Sequence, residues 1–429
     1  MKLLIISHFS NPAVRRNLPL GSRRVYSAVR KLLRLPQKKA VIGDVSPWTS
    51  CLIDNLKGRD DLELYVLGSH QWMKRYPVEF DLDGVHYCFV GCEGANALKY
   101  LVRNPSLWRR LNPLNGKVRR FVDKVSPDLI ALVGAENGFI SGTVLGLFDY
   151  PLIIQCQTIY NNPERSNFDH IDHVNAYVER ELFKKAKYVA IPTKMHYDLF
   201  MKMDSQAQVV KWKALTSMPD VYDPEIQKEY DFVNFAVLMS RKKGYFDAVE
   251  AFAKVSRTHP GVRLNLVGGG TEDDKQELRN LCERLGVASS VVFTDFFEEQ
   301  ADMLRHIQKS RFALLPCLMD YTSGTMNQAM FYRLPLVCYE TKGTPNFNKE
   351  RECALIARSG DTDDLAAKMS VLLDDPAKVE TLRENAYRRA VQKLNMKETT
   401  DTLVATYRAV YENAMKGTPI PDELLYHRD

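Results

Sequence analysis

The stretch NFAVLMSRKKGYFDAVEAFAKV, residues 234–255, decides the fold. An apolar run reaches Met239, a basic turn follows through Arg241, Lys242, Lys243 and Gly244, and an amphipathic helical pattern takes over. An unbroken apolar strand belongs to a sheet covered on both faces. A strand that passes straight into a helix is half of a parallel βαβ unit. The same alternation extends in both directions. RLNLVGGG, VVFTDF, FALLPC, LPLVCYE and CALIAR follow, and KLLIIS, LELYVLG, VHYCFVG, DLIALVG, LIIQCQ and YVAIPT precede it, with helical patterns over Pro105 to Lys124 and Val174 to Lys187. Ser217 to Phe232 holds two prolines and no periodicity, which makes it the natural linker. The expected fold is α/β, two doubly wound domains facing each other across a cleft, with ligands beyond the carboxyl ends of the strands.

Composition agrees with a two-domain globular protein. The chain has 429 residues, 45% of them hydrophobic and 26% charged, and a net charge of +6. That length exceeds one ordinary core, and the charge is too mild to indicate nucleic acid as a partner. The eight cysteines lie scattered in apolar runs without zinc spacing, so reduced, buried thiols and a cytoplasmic location are expected. MKLLIISHFS reads as a first strand rather than a signal peptide. No apolar run is long enough to span a membrane.

Four places in the second half, and a histidine pair in the first, are candidates to hold an anion or a metal. Cations after a parallel strand, as at Arg241 and Lys243, point toward the ligand edge and suit phosphate; a solvated basic turn is the alternative. Gly268 to Gly270 are read as turn chemistry, since Asp273 and Asp274 begin the next helix and repel phosphate. In FALLPCLMDYTSGTMNQAM, residues 312–330, Thr322, Ser323, Gly324 and Thr325 directly precede a helix. Free amide N–H groups, hydroxyls and the positive helix end make an anion site, although simple N-capping needs no ligand. Asp361 to Asp364 look like a metal pair but sit where a helix cap belongs. His170 and His173 lack a third ligand. No metal and no cofactor is expected.

With those pieces in place, the order resembles the retaining GT-B glycosyltransferases of the group 1 family. The matching segments are Lys243-Gly244, LVGGG, VVFTDF, ALLPCLMDYTSGTMNQAM, YRLPLVCYETKGTP and SGDTDDLAAKMSVLLDDPAKVETLRENA. The resemblance implies two Rossmann-like domains: residues 1–220 for the acceptor and 221–405 for a nucleotide-sugar donor. A C-terminal helix and tail over 406–429 would cross back to the first. It also implies that Asp320 holds hydroxyls of the transferred sugar and Gln328 the nucleotide ribose, both at places where the family has glutamates. Leu238 stands where many members have a phosphate-binding arginine, which Arg241 could replace. Gln157 takes the approximate place of a cleft histidine. Lys243 and Asp320 are the catalytic candidates. Arg241, Lys243, Gly244, Asp320, Ser323, Gly324, Thr325 and Gln328 are the donor-binding set.

The first half carries a basic segment over 13–42 with Arg15, Arg16, Arg23, Arg24, Arg30, Lys31, Arg34, Lys38 and Lys39 and no acid. Val25, Val29, Leu32 and Leu33 fall at helical spacing within it, so an anionic membrane surface is one expected partner. An acidic acceptor or a plain solvated loop are the alternatives. Gly43 and Trp48 follow as acceptor or cleft candidates, the glycine by resemblance. The expected function is transfer of a sugar from a nucleotide-diphosphate sugar to a saccharide or lipid-linked acceptor in cell-surface polysaccharide synthesis, in the cytoplasm or peripherally on the cytoplasmic membrane face. A non-catalytic nucleotide-sugar-binding protein, or a GT-B epimerase or hydrolase, are the alternatives.

Overall fold

The computed structural model describes residues 1–20, 31–32, 45–70, 72–73, 76–92, 95, 98, 102–163, 172–213, 215–216, 218–319, 324–393 and 395–427. Gly43, His170, Asp320 and Ser323 lie outside these residues, as does most of the basic segment 13–42. The chain divides into two compact units, Met1–Ser217 with Met396–Asp429, and Met218–Asn395.

The first unit is built on eight strands: β1 (Lys2–Ser7), β2 (Glu63–His70), β3 (Val78–Leu82), β4 (Val85–Gly91), β5 (Leu129–Val133), β6 (Leu152–Gln155), β7 (Tyr188–Ile191) and β8 (Gln208–Lys211). Their order is β3-β4-β2-β1-β5-β6-β7-β8. All pairings are parallel except the β3–β4 hairpin. Asp83 and Gly84 turn that hairpin, both at positive φ (52° and 76°), as a two-residue turn matched to strand twist requires. Leu3, Leu4, Ile5 and Ile6 of β1 are fully buried on alternating faces, so both sides of the sheet are covered.

Two expectations change here. The helical pattern from Pro105 to Lys124 is two helices, Pro105–Leu111 and Asn115–Val125. Pro113 cannot donate a backbone hydrogen bond, and the buried Asn112 stabilises the break by donating to the Phe139 carbonyl (2.8 Å) and accepting from the Leu114 amide (3.1 Å). The return to the first unit begins at Met396, so residue 406 falls inside one continuous helix, Met396–Lys416. That helix packs Leu403, Val404, Tyr407 and Val410 into the core beside Leu3 and Ile5. Its Tyr407 hydroxyl donates to Gln155 Oε1 at 2.9 Å.

The second unit has β9 (Tyr230–Leu238), β10 (Leu264–Gly269), β11 (Val291–Thr294), β12 (Ser310–Leu315), β13 (Leu336–Tyr339) and β14 (Ala354–Ala357). Their order is β11-β10-β9-β12-β13-β14, all parallel. The expected linker over 217–232 therefore ends sooner, because Tyr230 already pairs with Ser310 in the sheet.

Candidate functional site

The first strand of the second unit, β9, lies in the middle of its sheet between β10 and β12. From β9 the chain winds outward to β11, then restarts at β12 and winds outward the other way to β14. The carboxyl ends of β9 and β12 thus flank the point where the winding reverses, and ligands of such sheets settle there. Both ends carry residues singled out in the sequence. A single 3-10 turn, Arg241–Lys243, follows β9 and leads into the helix Tyr245–Thr258. Pro316 follows β12, and the helix Gly324–Phe331 starts a few residues later.

These two connections are locked together. The Leu318 amide donates to the Lys242 carbonyl at 3.0 Å, and Cys317 Sγ donates to the same oxygen at 3.3 Å. Gly244 has φ +74°, and a Cβ there would lie 1.9 Å from the Pro316 carbonyl oxygen. Only glycine fits that conformation and that approach.

The candidate residues differ in exposure and surroundings. Lys243, Gly324 and Thr325 are half-buried. Arg241 is exposed, forms an ion pair with Glu277, and lays its guanidinium 3.8 Å from the Phe246 ring centroid. Its charge is thus already engaged by the neighbouring helix. Leu238 is 59% exposed and Val237 62% exposed at the end of β9. Gln328 is only 3% exposed, on the same helix as the core residues Met326, Ala329 and Met330. Such a side chain touches a ligand only through a narrow opening.

The competing motifs resolve as caps and turns. Asp361 caps the helix Thr362–Asp374, accepting from the amides of Asp363 (3.0 Å) and Asp364 (2.9 Å). Thr271 and Asp274 form a reciprocal capping box after the glycines. A Cβ on Gly268 would lie 2.5 Å from the Ala236 carbonyl oxygen, so that glycine lets β10 approach β9 closely. His173 is the first residue of the helix His173–Lys185, capped by Asp172.

In the first unit the carboxyl edge holds the expected Trp48 and Gln157 together with His8, Ser46, Ser69 and His70, which the sequence reading passed over. His8 follows β1, with Nδ1 2.8 Å from Ser69 Oγ and its ring edge-on to Phe139 at 4.7 Å between centroids. Ser46 has left-handed backbone, φ 60°, and its hydroxyl donates to the His8 carbonyl at 2.8 Å. It opens the helix Pro47–Leu56, whose second residue, Trp48, is 36% exposed. His70 is buried at the end of β2, and its Nδ1 accepts from the Trp72 amide at 3.1 Å. Burial, with Arg15 nearby, lowers its pKa to about 4. Gln157 is half-buried just after β6. For His8, His70 and Gln157 the position was available from sequence: each lies at or just after the carboxyl end of a parallel strand, and that edge is where such sheets bind.

Residues 223–389 match the sequence model of a family described as "Glycosyl transferases group 1". The second unit thus carries the sequence of a group 1 glycosyltransferase. Alpha-D-kanosaminyltransferase of Streptomyces kanamyceticus is 21% identical to this glycosyltransferase over 350 residues, covering 78% of this chain and 87% of that one. A sucrose-phosphate synthase from Thermosynechococcus elongatus superposes with a TM-score of 0.68 at 16% identity, over 96% of this chain and 99% of the other. The Anabaena protein HepE, solved with UDP and glucose, gives 0.67 at 16% identity, over 95% of this chain and 100% of that one. The fold is therefore GT-B, with two parallel-sheet domains. No helix among the described residues is long and apolar enough to cross a membrane.

Proposed function

We propose that this glycosyltransferase moves a sugar from a nucleotide-diphosphate sugar to a hydroxyl of a saccharide or lipid-linked saccharide, with retention at the anomeric carbon, in the synthesis of a cell-surface polysaccharide. The observation that carries the reading is the lock between the Arg241–Gly244 turn and the segment before Gly324, at the point where the second sheet reverses its winding. A helix start leaves amide N–H groups without intrahelical acceptors and suits the charge of a diphosphate, and Lys243 is assigned to the same anion.

In the reaction the bond from the anomeric carbon to the diphosphate oxygen breaks. The acceptor hydroxyl oxygen forms the new bond to that carbon, and its proton passes to the leaving diphosphate oxygen. Negative charge grows on the leaving diphosphate, where Lys243 and the amides at 324–325 stabilise it, with Ser323 as a further candidate. Fixed donors aimed at developing charge are usually the largest single contribution. Lys243 carries this role in the proposal from its place at the end of the turn that follows β9, and no metal is invoked. Asp320 is assigned to the sugar hydroxyls and Gln328 to the ribose, both from the family pattern. The acceptor is assigned to the first unit, with Gln157, Trp48 and Gly43 as candidate contacts. Association of segment 13–42 with an anionic membrane on the cytoplasmic side belongs to the same proposal.

The names of the relatives support the chemistry: one is a kanosaminyltransferase, and HepE was solved with UDP and glucose. A thermal-shift screen of UDP, GDP and ADP with their glucose and mannose conjugates tests it, since a ligand that binds only the folded state raises apparent stability. Conjugates that shift the melting temperature then go into transfer assays with a saccharide panel. Sugar transfer is expected. Release of free sugar alone would make the protein a hydrolase, and binding without turnover would make it a binding protein.

A further inference from the structure

Glu179 is a fully buried carboxylate in the helix His173–Lys185. Its Oε1 accepts from the Tyr160 amide at 2.7 Å, and its Oε2 accepts from the Asn161 amide at 2.8 Å and from Asn161 Nδ2 at 2.7 Å. Asn161 Nδ2 also donates to the Ala176 carbonyl (2.9 Å), and Asn161 Oδ1 accepts from Arg180 (2.8 Å). Burying a charge is costly unless it is hydrogen-bonded, and these three bonds all go to one short loop. The near end of that loop is also fixed, because the Cys156 amide donates to the Ala190 carbonyl of β7 at 3.0 Å.

Between these two anchors lie Gln157 and Thr158. Both are half-buried, flanked by buried Cys156 and Ile159. Among the described residues neither side chain has a hydrogen-bond partner. A braced loop at the carboxyl edge of a parallel sheet therefore presents one amide and one hydroxyl with their hydrogen-bonding capacity unspent. Both groups are uncharged and both can donate and accept, which suits neutral hydroxyls better than phosphate.

We propose that Thr158, with Gln157, contacts an uncharged, hydroxyl-rich saccharide, and that Glu179 is the positioning residue that holds both in place. The identity of the ligand as a saccharide rests on the transfer reaction proposed above. Glutamine at 179 cannot replace the carboxylate, because its amide NH2 would face one of the N–H donors that Glu179 now accepts from.

Saturation-transfer NMR with methyl α-D-glucopyranoside, methyl α-D-mannopyranoside and glucosamine at millimolar concentration tests this. The wild type is expected to bind at least one of them. Gln157→Ala and Thr158→Val should each weaken that binding about fivefold to tenfold. Glu179→Gln should weaken it as well, yet add nothing in a Gln157→Ala/Thr158→Val background, since coupled residues are not additive. A merely structural glutamate would lower the melting temperature and leave binding intact, or act equally in both backgrounds; either result overturns the positioning role. If Glu179→Gln does not fold, Asn161→Ala loosens the same brace and takes its place in the cycle. Unchanged binding in Gln157→Ala and Thr158→Val, or no binding by the wild type, overturns the whole proposal. Saccharide binding without any transfer would instead end the functional reading and leave this one standing.

Discussion

Replacing Gly244 by alanine strikes the joint that holds the proposed donor site together. Two costs can be worked out. Left-handed backbone at φ +74° costs a residue with a Cβ about 1–2 kcal/mol. In addition, the new Cβ would sit 1.9 Å from the Pro316 oxygen, and real Cβ contacts do not fall below 3.0 Å, so one backbone must move by at least 1.1 Å. Gly286 provides the control: it has φ +72° and nothing within 4 Å of an added Cβ. Gly286→Ala should lose only the conformational term, about 1 kcal/mol, and bind nucleotide normally. Gly244→Ala should lose about 2–4 kcal/mol in urea unfolding, within the range of strained backbone sites. Because the shift carries the 241–243 turn with it, transfer should fall about a hundredfold, the usual consequence of a displacement near 1 Å at a reacting centre. Equal behaviour of the two variants in unfolding and in transfer would refute the claim that this close approach positions the site.

Further predictions concern protons and the nucleotide. His70 is neutral in the fold, with a pKa lowered from 6.5 to about 4. The unfolded chain takes up a proton at higher pH than the folded one, so stability should be full above about pH 6.5 and fall as pH drops toward 4. The total loss is about 3 kcal/mol. His70→Asn should flatten that limb in pH-resolved unfolding, and an unchanged slope would count against it. His86 behaves oppositely: partial burial opposes its protonation, but hydrogen bonds to Asp81 (2.8 Å) and Glu79 (3.0 Å) outweigh this and raise its pKa. Its contribution should be full below about pH 6.5 and vanish as pH rises through the raised value, so the destabilisation by His86→Gln should shrink with pH; a pH-independent difference would exclude the charged cluster. Gln328→Ala should weaken free nucleoside diphosphate and donor alike, while Asp320→Asn should impair transfer and leave nucleotide affinity intact; calorimetry and rates in the reverse pattern would exchange the two roles.

Most strands of the two sheets were legible because each is a short unbroken apolar run, a pattern that burial on both faces imposes; β8, Gln208–Lys211, has polar residues at both ends and was missed. The β3–β4 hairpin was missed although its Asp83-Gly84 turn is a strong local signal; in VEFDL the exposed Glu79 and Asp81 alternate with Val78, Phe80 and Leu82, so no unbroken apolar run marks this edge strand. Asn112-Pro113 likewise announced a helix break that the surrounding apolar spacing concealed. In the site, Lys243, Gly244 and the helix start near Gly324 could be found because they follow strands in a recognisable order. The pairing of Arg241 with Glu277 joins residues distant in sequence and could not be read from either. The same holds for Glu179, whose partners at 160 and 161 lie beyond any helical repeat. His8 and Ser69 were legible only by position, since an isolated histidine or serine carries no motif.

Calorimetric titration of UDP, GDP and ADP into the wild type and Lys243→Ala is the most direct test of a diphosphate held by the second unit. At least one of these nucleotides should bind the wild type. The variant should bind it more weakly by about 1.5–3 kcal/mol, the contribution of a charged hydrogen bond. Undiminished affinity in a folded Lys243→Ala protein would contradict the account and move the phosphates elsewhere.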